Sequence, residues 1–218
     1  MIVLDEVHQR HLEGLRSLNA AVTSEGLVLG AQYVMFFAEA ELMRLHAERL
    51  VEGVDQPDVL EVGLGLGVFA EQLAGLGVGS YIAVEPHPQV ANITRCRILN
   101  RYPAPVRLIT EPWQLTSFPP ESLDAIMYDT WPPDGHADSD FAVFVETVVK
   151  RCLRPGGRFS FFSSGPELRE VRRQILERHF TAVKTWPYAL AAHEIPPSWT
   201  KPTADFVVPI ATKGGPSS

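Results

Sequence analysis

Val59-Leu60-Glu61-Val62-Gly63-Leu64-Gly65-Leu66-Gly67 is the stretch on which the fold turns. Its first four residues, introduced by Pro57-Asp58, read as a short buried strand. The alternating glycines let the backbone turn tightly and approach a ligand closely, which a side chain would block. Phe69–Ala74 reads as the helix that follows, stopped by Gly75. In an open α/β sheet, ligands settle at the carboxyl ends of the strands. Glu85 ends the next strand, where a carboxylate can accept hydrogen bonds from both hydroxyls of a ribose. Taken alone, such a loop is weak evidence, since an ordinary turn or a nicotinamide site, which also places an acid about twenty residues on, competes with it. Glu61 two positions before the first glycine and the Gly-x-Gly-x-Gly spacing disfavour the nicotinamide site.

Outward from this stretch, strands are expected at Tyr81–Val84, Val106–Ile109, Leu123–Tyr128, Arg158–Phe162, 181–186 and 204–211. Helices are expected over 89–101, 140–153 and 167–178, so strands and helices alternate as in a mostly parallel sheet covered on both faces. Upstream, residues 5–19 and 32–52 read as helices separated by a loop at Gly26 and Gly30. In the second, Val34, Phe37, Ala38, Glu41, Leu42, Leu45 and Leu50 fall largely on one face.

With 218 residues, 45% apolar and 21% charged, the chain fits one globular domain. A net charge of −7 argues against a nucleic-acid partner but suits a cationic small substrate. Cys96 and Cys152 belong to no ligand cluster, so no metal is expected, and both read as reduced, mostly buried thiols. The N-terminus lacks the pattern of a signal peptide, and Glu61, Glu71 and Glu85 interrupt the most apolar region. A cytoplasmic protein without membrane contact is the expectation, with the oligomeric state left open and a homodimer as one alternative.

Further motifs follow in order: Glu111-Pro112-Trp113-Gln114, Ile126-Met127-Tyr128-Asp129 and Leu153-Arg154-Pro155-Gly156-Gly157. Together with Val59–Gly67 and Glu85, they make the chain resemble class I S-adenosylmethionine-dependent methyltransferases. The resemblance implies a single Rossmann-like α/β domain with a mostly parallel seven-stranded sheet and helices on both faces. It also implies S-adenosyl-L-methionine as cofactor, held by Glu61, Gly63, Gly65, Gly67, Glu85, Trp113, Gln114 and Asp129. Residues 1–55 would be a helical extension capping the active site, 56–213 the cofactor-binding core, and 214–218 a disordered tail.

A narrower likeness centres on Tyr128-Asp129-Thr130-Trp131-Pro132, which resembles the Tyr-Asp-Thr-Tyr-Pro segment of guanidinoacetate N-methyltransferases and of related arginine-guanidino enzymes. Met35 and Met43, eight residues apart, bracket Glu39 as two methionines bracket a glutamate in that family. By this resemblance, Met35 and Met43 flank the cofactor, and Asp129 and Glu39 are the catalytic, guanidinium-binding pair. Thr130, Ser164 and Gly165 complete the acceptor pocket, and no metal is needed. The chemistry agrees, because a guanidinium has a pKa above about 12 and presents a planar fork that carboxylates bind bidentately.

Rival readings stay open at this point. Glu39 is also a solvated residue on an amphipathic helix, Met35, Met43 and Trp113 plain core, and Asp129 a turn former. His87 and His136 read as surface histidines. The paired tyrosines before the family's last strand are replaced by Lys201-Pro202-Thr203-Ala204-Asp205, and the loop after Asp129 is shorter. Both departures fall where the far end of the substrate would lie, which tilts the expectation to free arginine over guanidinoacetate. A methyltransferase for another small amine or carboxylate, and a non-catalytic cofactor-binding protein, are the alternatives.

Overall fold

The computed structural model describes residues 4–215. Residues 216–218 of the tail expected to be disordered lie outside the described residues. Near the N-terminus, α1 (Glu6–Ser17) is capped by Asp5, whose carboxylate accepts the His8 backbone N–H at 2.9 Å. Next come β1 (Ala20–Val22), β2 (Gly26–Leu29) and β3 (Gln32–Phe36), an antiparallel meander. A 3-10 turn over Phe37–Glu39 then leads into α2 (Ala40–Val51).

The helix expected from residue 32 therefore starts only at Ala40, and the loop expected around Gly26 and Gly30 is mostly strand. Tyr33-Val34-Met35-Phe36 is aromatic and β-branched enough to prefer extended backbone once β2 offers it a hydrogen-bonding edge. Its apolar spacing mimicked a helix face by coincidence. The N-terminal extension is thus part helix and part sheet.

The core contains β4 (Asp58–Val62), α3 (Val68–Ala74), β5 (Ser80–Val84), α4 (Pro88–Arg97), β6 (Val106–Ile109) and β7 (Leu123–Tyr128). From there α5 (Ala137–Phe144) runs through a π-type turn (Val145–Val149) into α6 (Lys150–Cys152). The chain closes with β8 (Leu153–Phe161), α7 (Glu170–Glu177), β9 (Ala182–Ala189) and β10 (Asp205–Thr212). These seven strands form one sheet in the order β6-β5-β4-β7-β8-β10-β9, with β10 antiparallel to both of its neighbours and the other pairs parallel. This is the expected Rossmann-like architecture.

Alternation along the strands divides the core in two. Leu60, Val62, Ile126 and Tyr128 face α5 and α7 across a cluster of Phe141, Phe144, Phe159 and Phe161. Val59, Ala125 and Met127 face α2 and α3 through Leu42, Ala47 and Phe69. Each such buried Val, Leu, Ile, Phe or Met side chain contributes about 1.5–3 kcal/mol. A third cluster joins Leu27 and Leu29 of β2 to Leu66 of the glycine loop and Val90 of α4, which seats the meander over that loop. Of the two cysteines, Cys152 is buried as expected, but Cys96 is exposed on the outer side of α4. Among the described residues, no helix is long and apolar enough to cross a membrane.

Candidate functional site

From β4 the sheet grows outward in both directions, to β5 and β6 on one side and to β7 and β8 on the other. A crevice opens where the order reverses, beyond the carboxyl ends of β4 and β7. Gly63 lies in it with φ +90°, and a Cβ there would stand 1.6 Å from the Asp129 carbonyl oxygen. Only glycine allows β4 and β7 to end so close together. The Gly65 N–H donates to Glu85 Oε2 at 2.9 Å, and the His87 N–H donates to Glu85 Oε1 at 2.9 Å. Burial pushes the Glu85 carboxyl up to about 7, against the pull of those two N–H donors. Gly67 caps α3 and packs against Thr94 and Ile98 of the α4 region.

Above these residues lies a cavity of about 490 Å³, whose lining includes Gly63, Gly65, Glu85, Trp113, Gln114 and Asp129. That size suits a drug-sized ligand or cofactor. Trp113 serves both readings given it, since it lines the cavity and also packs edge-on against Phe144 at 4.9 Å. Gln114 Oε1 is buried without a hydrogen-bond partner among the described residues. An unpaired buried acceptor costs on the order of 1–3 kcal/mol unless a ligand donor meets it.

A second cavity, of about 20 Å³, shares Met35, Gly63 and Asp129 with the first and adds Glu39, Met43 and Glu61. Glu39 is buried, not solvated, because the 3-10 turn rolls it inward. Its Oε2 accepts the Phe36 N–H at 3.0 Å, and its Oε1 accepts the Lys201 ammonium. Burial pushes the Asp129 carboxyl up to about 6, although Lys201 pulls it down while Glu39 pushes it up again. Glu61 instead takes the Tyr81 hydroxyl, and its burial drives the carboxyl well above the usual range.

Other expected site residues fall elsewhere. Thr130 lines the large cavity, but Ser164 and Gly165 line neither. Ser164 bridges to Phe206, and the Gly165 N–H is spent on the Asp205 carbonyl at 2.8 Å, so β10 claims this backbone. Phe162 takes their place on the cavity wall. His87, expected at the surface, is buried, with its Nε2 at 3.0 Å from the Leu18 carbonyl oxygen.

Two features escaped sequence reasoning. Lys201 reaches Glu39 across 162 residues of chain, a pairing that no local spacing encodes. Helix α1 also lies along the large cavity, contributing His8, His11, Leu12 and Leu15. His8 Nε2 meets Asp140 Oδ1 at 2.9 Å, while its Nδ1 meets Asp5 at 2.7 Å. Burial opposes charge on this ring, yet the two carboxylates prevail and raise its pKa. His8, His136 and Asp140 place ligand-type atoms within 4.8 Å of one another, a grouping the sequence reading did not foresee. Arg16 adds ties to the Pro86 and Thr110 carbonyls, both at 2.9 Å.

Among curated proteins, none matches this chain in sequence. Solved structures match it in fold. N-methyltransferase NodS from Bradyrhizobium japonicum WM9, in complex with S-adenosyl-L-homocysteine, aligns with a TM-score of 0.65 at 16% identity, covering 98% of this chain and 100% of that one. A SAM-dependent O-methyltransferase from Thermotoga maritima aligns at 0.59 and 13% identity, covering 94% and 88%. Magnesium protoporphyrin IX methyltransferase from Synechocystis PCC 6803 aligns at 0.58 and 11%, covering 80% and 79%. Their acceptors differ, so the shared fold leaves the acceptor open. Residues 60–161 match the family model described as a methyltransferase domain. That stretch holds the glycine loop, Glu85, Gln114 and Asp129, so the match to a methyltransferase domain falls on the residues that build the large cavity.

Proposed function

We propose that this methyltransferase methylates a guanidino nitrogen of a small molecule, free arginine ahead of guanidinoacetate. The observation that carries the reading is the pair of carboxylates, Glu39 and Asp129, lining one small cavity with a cation already seated on Glu39. A guanidinium offers donors in a plane to two such acceptors at once. Glu39 would orient the fork, and Asp129 would favour charge away from the attacking nitrogen and take the proton it gives up. The cofactor supplies an activated methyl group when bound.

On the cofactor side, Glu85 fits a ribose diol, the orphaned Gln114 oxygen fits an amino-group donor such as that of adenine, and Met35 and Met43 fit as apolar walls. Glu85→Gln is expected to weaken S-adenosylhomocysteine binding by about 10- to 100-fold, because hydrogen bonds to a charged acceptor are worth about 1.5–3 kcal/mol. Calorimetry checks this, and unchanged affinity would remove Glu85 from the cofactor site.

The test of the acceptor is a cofactor-consumption screen over guanidines, with mass spectrometry of the product. Failure to methylate arginine, guanidinoacetate and a broader guanidine panel would sink the reading. A primary amine is the second reading, favoured by the Lys201 ammonium that already sits on Glu39 of the acid pair. Faster turnover of alkylamines than of any guanidine would install it instead.

A further inference from the structure

We propose that Lys201 selects acceptors that carry a carboxylate, by exchanging Glu39 for that carboxylate when the guanidinium binds. The proposal rests on the guanidino reading given above. In the free protein the Lys201 ammonium sits on Glu39 Oε1. Glu39 Oε2 is already taken by the Phe36 N–H. A guanidinium that uses Glu39 therefore competes with Lys201 for Oε1, the oxygen that the backbone leaves open.

Once displaced, the ammonium stays close by. Its Nζ lies 4.1 Å from the centre of the Phe162 ring and 5.9 Å from that of Trp199, and aromatic faces hold a cation. The backbone beneath it is anchored, with Trp199 packed on Phe36 at 4.8 Å and the Ser198 hydroxyl on Glu25. Movement is thus confined to the flexible four-carbon stem of the lysine. Its side chain is only 20% exposed, so an ammonium stripped of Glu39 is poorly solvated and needs another anion.

Lys201 also lines the large cavity, into which the rest of an acceptor bound at Glu39 and Asp129 would extend. Charge supports the exchange as well. Glu39, Asp129 and Lys201 sum to −1; the guanidinium of arginine brings this to zero and its carboxylate and α-ammonium cancel, whereas agmatine brings a second cation and leaves +1. A guanidine without a carboxylate displaces Lys201 and offers it nothing in return.

The experiment compares arginine with agmatine, its decarboxylated analogue, on the wild type, Lys201→Met and Lys201→Arg. Binding is read by calorimetry on the S-adenosylhomocysteine complex, and kcat and KM on the active enzyme. The wild type is expected to prefer arginine by at least about tenfold, a gap of about 1.4 kcal/mol. In Lys201→Met the preference collapses to about one, through KM more than kcat, with agmatine binding unchanged or tighter. Lys201→Arg restores part of the preference. A preference that survives in Lys201→Met overturns the proposal, as does equal weakening of both ligands, which marks a merely structural lysine. Wild-type protein that binds S-adenosylhomocysteine but neither binds nor methylates these two, guanidinoacetate or the wider guanidine panel overturns the guanidino reading itself, and this assignment falls with it.

Discussion

Asp129→Asn is expected to lower kcat by about 10²- to 10⁴-fold, the usual worth of a positioned acid–base group. The amide keeps the shape of the carboxylate, but it neither accepts the departing proton nor balances a guanidinium. Burial pushes the Asp129 carboxyl up to about 6. Wild-type activity should therefore rise with pH through about 6 and then level, and the Asn variant should lose that limb. The same shift predicts the opposite effect on stability. A carboxyl whose folded value is raised supports the fold fully below its ordinary value of 3.8, and that support fades as pH rises through about 6. At neutral pH the variant should then be the more stable protein. Allowing for the contact Asp129 keeps with the cavity, the gain is on the order of 1–2 kcal/mol, or a few degrees in Tm. A variant that turns over at the wild-type rate, or melts lower at pH 7.5 than the wild type, would refute the placement of Asp129.

Gly63→Ala has the largest expected effect on folding. The position has φ +90°, and an added Cβ would lie 1.6 Å from the Asp129 carbonyl oxygen, deep inside any contact distance. That oxygen belongs to a backbone pinned by the Asp129 N–H, which donates to the Val62 carbonyl at 2.8 Å. β4 and β7 would have to part at the point where both cavities meet. A loss of more than about 4 kcal/mol is expected, in the range reserved for strained backbone and core clashes. Tm should fall by more than about 8 °C and S-adenosylhomocysteine binding should disappear. Gly14→Ala is the matched control, since a Cβ at that position in α1 meets nothing within 4 Å. Wild-type melting and cofactor binding in Gly63→Ala would show that the two strand ends are not so closely apposed.

The core of the fold was legible because its signals are local. Val59–Val62 is a run of strand formers, the glycines follow at once, and Glu85 and Asp129 are the first acids after their strands. Residues 32–36 misled, since five residues cannot separate a helix period from a short strand when the deciding partner is β2. The backbone at Ser164 and Gly165 looked free for a ligand, but β10 runs antiparallel beside it and takes its hydrogen bonds. The partners of His8 and Lys201 lie 132 and 162 residues away in the chain, set by which loops gather at the strand ends.

Helix α1 borders the large cavity, yet none of its side chains is fully buried. Its hold on the rest of the protein includes polar ties through His8, His11 and Arg16. A segment fastened in this way detaches far more cheaply than a core strand. The wall that α1 forms is thus softer than the floor, which is built from the central strands. An exit past α1 would let a bound product leave faster once the ties of His8, His11 and Arg16 are cut.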